Sequence, residues 1–266
     1  MLDSNQRAKA AGLLWAAERD RVPVAPLTDT FGGIDAADAY EIQLLNIRRK
    51  TAAGARVRGH KVGLSSPVMQ QMMGVDEPDY GHLLDGMILD AGAPVPAARY
   101  CYPRIEVEIG YLLGAPLPGA GCTEADVLAA TQYIAPSLEL IDSRITDWRI
   151  KLADTIADNA SSAGVILGAA RKTPAELAAA GVDLANIEAV LYSGGAEVAR
   201  GNTSAVLGNP TACVAWLARK VAAFGVQLEA GHLILPGSCT RAIDAVAGSE
   251  FRAEFAGLGT VTASFE

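Results

Sequence analysis

Apolar and polar positions over the first fifty residues recur at helical spacing. Across residues 3–20, Ala11, Leu14, Trp15 and Ala17 fall near one face, with Asp3 or Ser4 placed to cap the N-terminus. Val22-Pro23-Val24-Ala25-Pro26 ends that helix. A second helix is predicted over 35–53, where Ala39, Ile42, Leu45 and Ile47 repeat and charged residues fall between them. The two predict a helical hairpin packed on a larger body. From Gly59 onward Gly and Pro become frequent and the apolar runs shorten, the pattern of strands joined by tight connections. Strands are predicted at 107–113, 135–141, 163–168, 187–193, 196–200, 232–236 and 258–265. Helices are predicted at 123–133, capped by Thr123 or Asp126, and at 210–224. Ser193-Gly194-Gly195, between two β-like runs, marks a hairpin. The expected organisation is an N-terminal helical segment, residues 1–58, on a catalytic strand-rich unit, residues 59–266.

Composition narrows the function classes. Half of the 266 residues are hydrophobic and a fifth charged, a globular balance, and aromatics at 6% leave a core of Ala, Val, Leu and Ile. A net charge of -8, with no basic run longer than Arg48-Arg49-Lys50, gives no footprint for nucleic acid. The four cysteines are scattered, as free thiols in a reducing compartment would be. The N-terminus lacks the apolar core of a signal peptide, and no segment is apolar enough to span a bilayer, so a cytoplasmic protein without membrane contact is expected. His60, His82 and His232 show no H-x-x-x-H spacing, and no G-x-S-x-G, G-x-G-x-x-G or P-loop occurs.

Carboxylates carry the candidate chemistry. In Arg104-Ile105-Glu106-Val107-Glu108-Ile109, strand alternation puts the apolar side chains on one face and both glutamates on the other, about 7 Å apart. Alone, this also describes a half-exposed strand with a solvated acidic face. Glu139 interrupts Pro136-Ser137-Leu138-Glu139-Leu140-Ile141, a segment otherwise suited to burial, and a buried ionised Glu needs a cation or hydrogen-bonding partners. If the two strands are neighbours, three carboxylates converge as a hard-oxygen site for Mg²⁺ or Mn²⁺. A structural ion pair of Glu139 with Arg104 or Arg144 fits the spacing equally well. Lys61, within Gly59-His60-Lys61-Val62-Gly63-Leu64, reads either as a cleft lysine or as an edge-strand lysine reaching solvent. The polar run from Asp154 to Ser162 reads as a functional loop or as a helix cap and turn.

Read end to end, the chain resembles the 2-hydroxypentadienoate (2-keto-4-pentenoate) hydratases of bacterial aromatic and steroid ring degradation, in the fumarylacetoacetate hydrolase superfamily. The segments that carry the resemblance include Lys61-Val62-Gly63-Leu64-Ser65-Ser66, Gly74-Val75-Asp76-Glu77-Pro78-Asp79-Tyr80-Gly81 and Pro103-Arg104-Ile105-Glu106-Val107-Glu108. Others are Leu138-Glu139-Leu140-Ile141-Asp142-Ser143-Arg144 and Asp154-Thr155-Ile156-Ala157-Asp158-Asn159-Ala160-Ser161-Ser162. The resemblance implies an α+β fold, a mixed β-roll preceded by helices, and a homo-oligomer, pentameric or a pair of pentamers. It implies Glu106, Glu108 and Glu139 as metal ligands, Lys61 and Asp79 in the catalytic pocket, and Ser161 as a substrate-contacting hydroxyl. It further implies a metal-dependent hydratase acting on a small 2-hydroxydienoate or 2-oxo acid, associated with a downstream aldolase. The 4-oxalocrotonate-type decarboxylases look similar and share the glutamates, but in them an apolar residue precedes the Tyr-Gly where this chain has Asp79. Water addition needs a group to hold and deprotonate water, so Asp79 favours the hydratase. A non-catalytic partner of a pathway enzyme is the alternative of another class.

Overall fold

Two helices with reciprocal caps open the chain. Helix α1 (Ser4–Asp20) begins at Asp3, which accepts from the Gln6 N–H while Gln6 accepts from the Asp3 N–H. After the short α2 (Leu27–Thr30), α3 (Ala36–Ala52) begins in the same way at Asp35, with Asp38 as the returning partner. Ala10, Ala11, Leu14 and Ala17 of α1 share a buried cluster with Ala39 and Ile42 of α3. Trp15 and Leu45, expected on the buried faces, are only half-buried, and Trp15 instead lies beneath the Arg49 guanidinium at 3.8 Å. Polar Asp38 and Gln43 are buried in their stead because each is fully used in hydrogen bonding: Asp38 accepts from Leu2 and Arg7, and Gln43 donates to the Tyr80 and Ile156 carbonyls.

The computed structural model describes the backbone of residues 1–266 and the side chains of all but residues 72 and 73. Beyond the helices, the chain runs through β1 (Val57–Gly63), α4 (Pro67–Met73), β2 (Asp79–Leu84), β3 (Ile88–Leu89) and β4 (Arg104–Leu113). It continues with α5 (Glu124–Ala130), β5 (Thr131–Ile141), α6 (Leu152–Ala157), β6 (Ser162–Leu167) and α7 (Pro174–Ala179). The last part holds β7 (Glu188–Ser193), β8 (Ala196–Asn202), α8 (Pro210–Ala222), β9 (Leu233–Leu235), β10 (Ile243–Asp244), β11 (Glu250–Phe255) and β12 (Gly259–Ser264). One sheet has the order β2-β1-β9-β4-β5-β6-β3, with β10 also on β4, and a second has the order β12-β11-β7-β8. The pairs β1/β9 and β3/β6 are parallel and the other pairs antiparallel, so the large sheet is mixed. This is the α+β architecture expected, helices followed by a curled mixed sheet. No helix among the described residues is long and apolar enough to cross a membrane.

Alternation along the strands decides what each sheet face carries. Ile105, Val107, Ile109, Tyr111 and Leu113 of β4, with Leu138 and Leu140 of β5, pack into the main core against Phe251, Ala253 and Phe255 of β11 and Val214, Leu217 and Val221 of α8. The opposite face carries Glu106, Glu108 and Glu139, floored by Leu83, Val165, Leu233 and Leu235.

Two sequence expectations are corrected here. The helix predicted over 123–133 stops at Ala130, because Thr131, Tyr133 and Ile134 pair with Leu113, Leu112 and Tyr111 as the start of β5. β-Branched and aromatic residues gain more from that ladder than from another helical turn. Strand β11 was not foreseen, although Glu250-Phe251-Arg252-Ala253-Glu254-Phe255 alternates cleanly and sits between β12 and β7.

Candidate metal centre

The ladder between β4 and β5 sets Glu106 directly opposite Glu139 and Glu108 opposite Ser137. Cross-strand partners stand about 5 Å apart at Cβ, and one carboxylate oxygen from each of the three glutamates lies within 4.8 Å of the others. Among the described residues this is the only such group of metal-binding side chains. Glu108 and Glu139 are buried and Glu106 is partly exposed, so the cluster opens to solvent on the Glu106 side.

Few hydrogen bonds satisfy these oxygens. The Gly237 N–H donates to Glu108 Oε2 at 2.8 Å, but Glu108 Oε1 and both oxygens of Glu139 have no hydrogen-bond partner. Buried carboxylate oxygens left without donors are costly. Burial, reinforced by Glu139 and Glu106, pushes Glu108 well above the ordinary carboxylate range. Burial, with Glu106 adding to it and Lys61 opposing it, pushes Glu139 up to about 7. Burial likewise raises Glu106. A donor set made only of clustered carboxylate oxygens fits Mg²⁺ or Mn²⁺ rather than a thiophilic or imidazole-seeking metal. The residues present therefore fit the cation expected from the sequence.

Lys61 settles two of the open readings. Strand β1 is not an edge: it lies between β2 and β9, and the lysine is buried. Its Nζ sits 3.4 Å from Glu139 Oε1 and donates to the Ala160 carbonyl at 2.9 Å. Burial works to lower its pKa, but Glu139, Glu106, Asp79 and Glu108 together outweigh it, and the amine stays protonated. Arg104 and Arg144, the other partners considered for Glu139, are engaged elsewhere, with Asp244 at 2.8 Å and Asp158 at 2.6 Å.

Asp79 starts β2 opposite Gly63, on the same face as Lys61. Its Oδ2 is 3.4 Å from the Thr155 hydroxyl and its Oδ1 has no partner. Burial raises its pKa, against the opposing charge of Lys61. Gly63 makes the space: a Cβ there would lie 2.2 Å from Asp79 Oδ1 and 3.6 Å from Lys61 Nζ. Ser161 is buried with its hydroxyl unpaired, in a turn where Asn159, Ala160 and Ser161 have φ of 56°, 50° and 58°. The six residues singled out in the sequence thus belong to one inner face and the turn beside it. Sequence reading missed Thr155 and Gly63, and the only signal for Gly63 was a glycine two residues after the lysine.

Comparison with known proteins agrees with this geometry. Residues 75–266 match the family model "Fumarylacetoacetate (FAA) hydrolase C-terminal". The chain is 41% identical to a 2-keto-4-pentenoate hydratase of Paraburkholderia xenovorans, across 98% of this chain and 95% of that protein. It is also 41% identical to a 2-oxo-hept-4-ene-1,7-dioate hydratase of Escherichia coli, across the whole of both. Among solved structures it is similar to a 4-oxalocrotonate decarboxylase of Pseudomonas putida G7 complexed with magnesium and adipate, with a TM-score of 0.93 and 35% identity over 100% of this chain and 99% of that one. The chain belongs to the fumarylacetoacetate hydrolase superfamily and, within it, to the 2-keto-4-pentenoate hydratase family.

Proposed function

We propose that this protein is a divalent-metal-dependent hydratase that adds water to a 2-hydroxy-2,4-dienoate to give a 4-hydroxy-2-oxo acid. The observation that carries this reading is Asp79: a buried carboxylate with one free oxygen, sharing a face with Lys61 and the three glutamates. The hydratases at 38–42% identity support it, and the similar decarboxylase complexed with magnesium supports the metal.

Glu106, Glu108 and Glu139 would hold the cation. When bound, it would supply a Lewis acid that stabilises negative charge on the substrate. Lys61 remains an ammonium, offsets part of the carboxylate charge and donates hydrogen bonds to oxygens that become negative. The dienol loses its 2-hydroxyl proton and gains one at C5, giving the 2-oxo-3-enoate. Water then adds at C4, its proton passing to Asp79 and another proton reaching C3, so that substrate plus water equals product. A burial-raised pKa makes Asp79 a stronger base for this step than a surface aspartate. Ser161, with an unpaired hydroxyl, binds a substrate oxygen.

The second reading is a 4-oxalocrotonate-type decarboxylase, favoured by the structural match at a TM-score of 0.93. The test is to incubate the protein with Mg²⁺ and freshly generated 2-hydroxypenta-2,4-dienoate or a 4-oxalocrotonate-type acid. Loss of dienol absorbance with formation of a 4-hydroxy-2-oxo acid supports the hydratase. Release of CO₂ from the second acid alone overturns it, and inertness toward both points to a non-catalytic partner.

A further inference from the structure

The turn that carries Ser161 is strained. Three successive residues other than glycine, Asn159, Ala160 and Ser161, occupy the left-handed region. Each such residue is unfavourable on its own and persists only where its surroundings hold it, Asn being the most tolerant. The turn has two outputs toward the site: the Ala160 carbonyl that receives Lys61 Nζ, and the unpaired Ser161 hydroxyl.

The Asn159 side chain provides the hold. Its Oδ1 accepts from the His82 N–H at 2.8 Å and its Nδ2 donates to the His82 carbonyl at 2.9 Å. His82 lies on β2, which ends the large sheet, so the carboxamide takes the place of a neighbouring strand at that one residue. The Asn159 carbonyl accepts from the Ser162 hydroxyl at 2.8 Å. Gly81 permits the approach, since a Cβ there would lie 2.2 Å from the Asn159 carbonyl oxygen. On the far side, Ser161 donates to the Asp158 carbonyl at 3.0 Å and accepts from the Asp142 N–H at 2.9 Å.

We propose that Asn159 is a positioning residue: its two-point clamp on the His82 backbone holds the left-handed turn that sets the Lys61 ammonium and the Ser161 hydroxyl against the glutamate triad. The importance of those two groups rests on the hydratase reading above; the clamp itself does not. Asn159 acts through its neighbours rather than on the substrate.

The test uses Asn159→Ala and the double variant Asn159→Ala/Ala160→Gly in the full-length, Mn²⁺-loaded protein. In Asn159→Ala, kcat should fall about 30- to 100-fold, as for a displacement near 1 Å, and KM should rise as the Ser161 hydroxyl shifts, while the Mn²⁺ Kd changes by less than twofold. Glycine takes positive φ without steric cost, so the double variant should recover at least tenfold of the lost kcat. A general loss of packing would not be repaired by a more flexible residue. Amide hydrogen exchange provides a readout that needs no substrate. The Ser161 and Asp142 amides should exchange at least tenfold faster in Asn159→Ala and regain protection in the double variant. If the wild type turns over neither acid, the hydratase reading fails while exchange still decides the clamp. Unchanged exchange at those amides, or no recovery in the double variant, overturns the proposal.

Discussion

Gly63→Ala is a small substitution with a specific consequence for the reaction. The new methyl would fall 2.2 Å from Asp79 Oδ1, whereas real Cβ contacts stay beyond 3.0 Å. The carboxylate must therefore retreat by about 1 Å, while the methyl meets Lys61 Nζ at 3.6 Å, an ordinary contact. Displacements of that size at a reacting group cost on the order of 10²-fold in rate. The glutamates lie on β4 and β5 and do not move with Asp79, and alanine suits a strand better than glycine does. The expected outcome is a folded protein with an unchanged Mg²⁺ Kd by titration calorimetry and a loss of about 10²-fold in kcat for water addition. Following the dienol by ultraviolet absorbance in deuterated buffer separates the two halves of the reaction. Deuterium uptake at C5, which reports ketonisation, should fall less than formation of the 4-hydroxy product. A kcat within twofold of wild type would refute the assignment of Asp79 to the water-handling step, and equal loss of both halves would remove its specificity for that step.

Three further outcomes follow from the same geometry. Chelation with EDTA should lower the Tm because it leaves the buried glutamate cluster unpaired, and Glu139→Gln should abolish the Mg²⁺-dependent part of the Tm, measured by scanning fluorimetry. Lys61→Met should bind Mg²⁺ roughly tenfold more tightly, since a cation 3.4 Å from Glu139 is removed, yet lose at least 10²-fold in kcat; parallel loss of both would contradict a separate role for the ammonium. Burial holds His82 at about 4, below the 6.5 of a free imidazole. Between those values the unfolded chain binds the extra proton, so stability is complete above pH 6.5 and falls as the pH drops toward 4, by about 3 kcal/mol from this ring. Urea denaturation at pH 7 and 4.5 should show His82→Asn with the smaller difference, and an equal difference would exclude the ring as the cause.

How far the site could be read from sequence varied with the kind of information each residue needed. The face shared by Glu106 and Glu108 follows from strand period alone, and β4 shows it directly. Glu139 stood out as a carboxylate in an apolar segment, but its place opposite Glu106 depends on the register of β4 with β5, which no local pattern encodes. Lys61 needed still more distant knowledge: parallel pairing with β9 makes β1 an interior strand and turns a plausible surface lysine into a buried cation. In 158–162 the residue types were right for a cap or turn, but Ala160 and Ser161 have no preference for positive φ. Their conformation comes from contacts with β2 and Asp142 instead of from their own identity.

The same division would let metal binding and choice of reaction vary separately in this fold. The glutamates stand on two long, mutually paired strands whose other face is packed in the main core, so the oxygens proposed to bind the cation are set by well-packed strands. The groups proposed to direct protons come from elsewhere: Asp79 from the outermost strand, Lys61 from its neighbour, and Ser161 from a strained turn held by one carboxamide. Four carboxylates, Glu106, Glu108, Glu139 and Asp79, face one ammonium, so a divalent cation reduces an excess of three negative charges to one. That remaining negative charge opposes an anionic substrate unless one carboxyl is protonated. Asp79, whose pKa burial raises and which lies outside the three glutamates, would enter the reaction in that state, give its proton to C5 and, as the carboxylate, take one from water. Replacing Asp79 by an apolar residue would therefore leave cation binding intact while removing both the exchangeable proton and the seat for water. Chelation and enolate stabilisation would persist without hydration, which is the chemistry a decarboxylase requires.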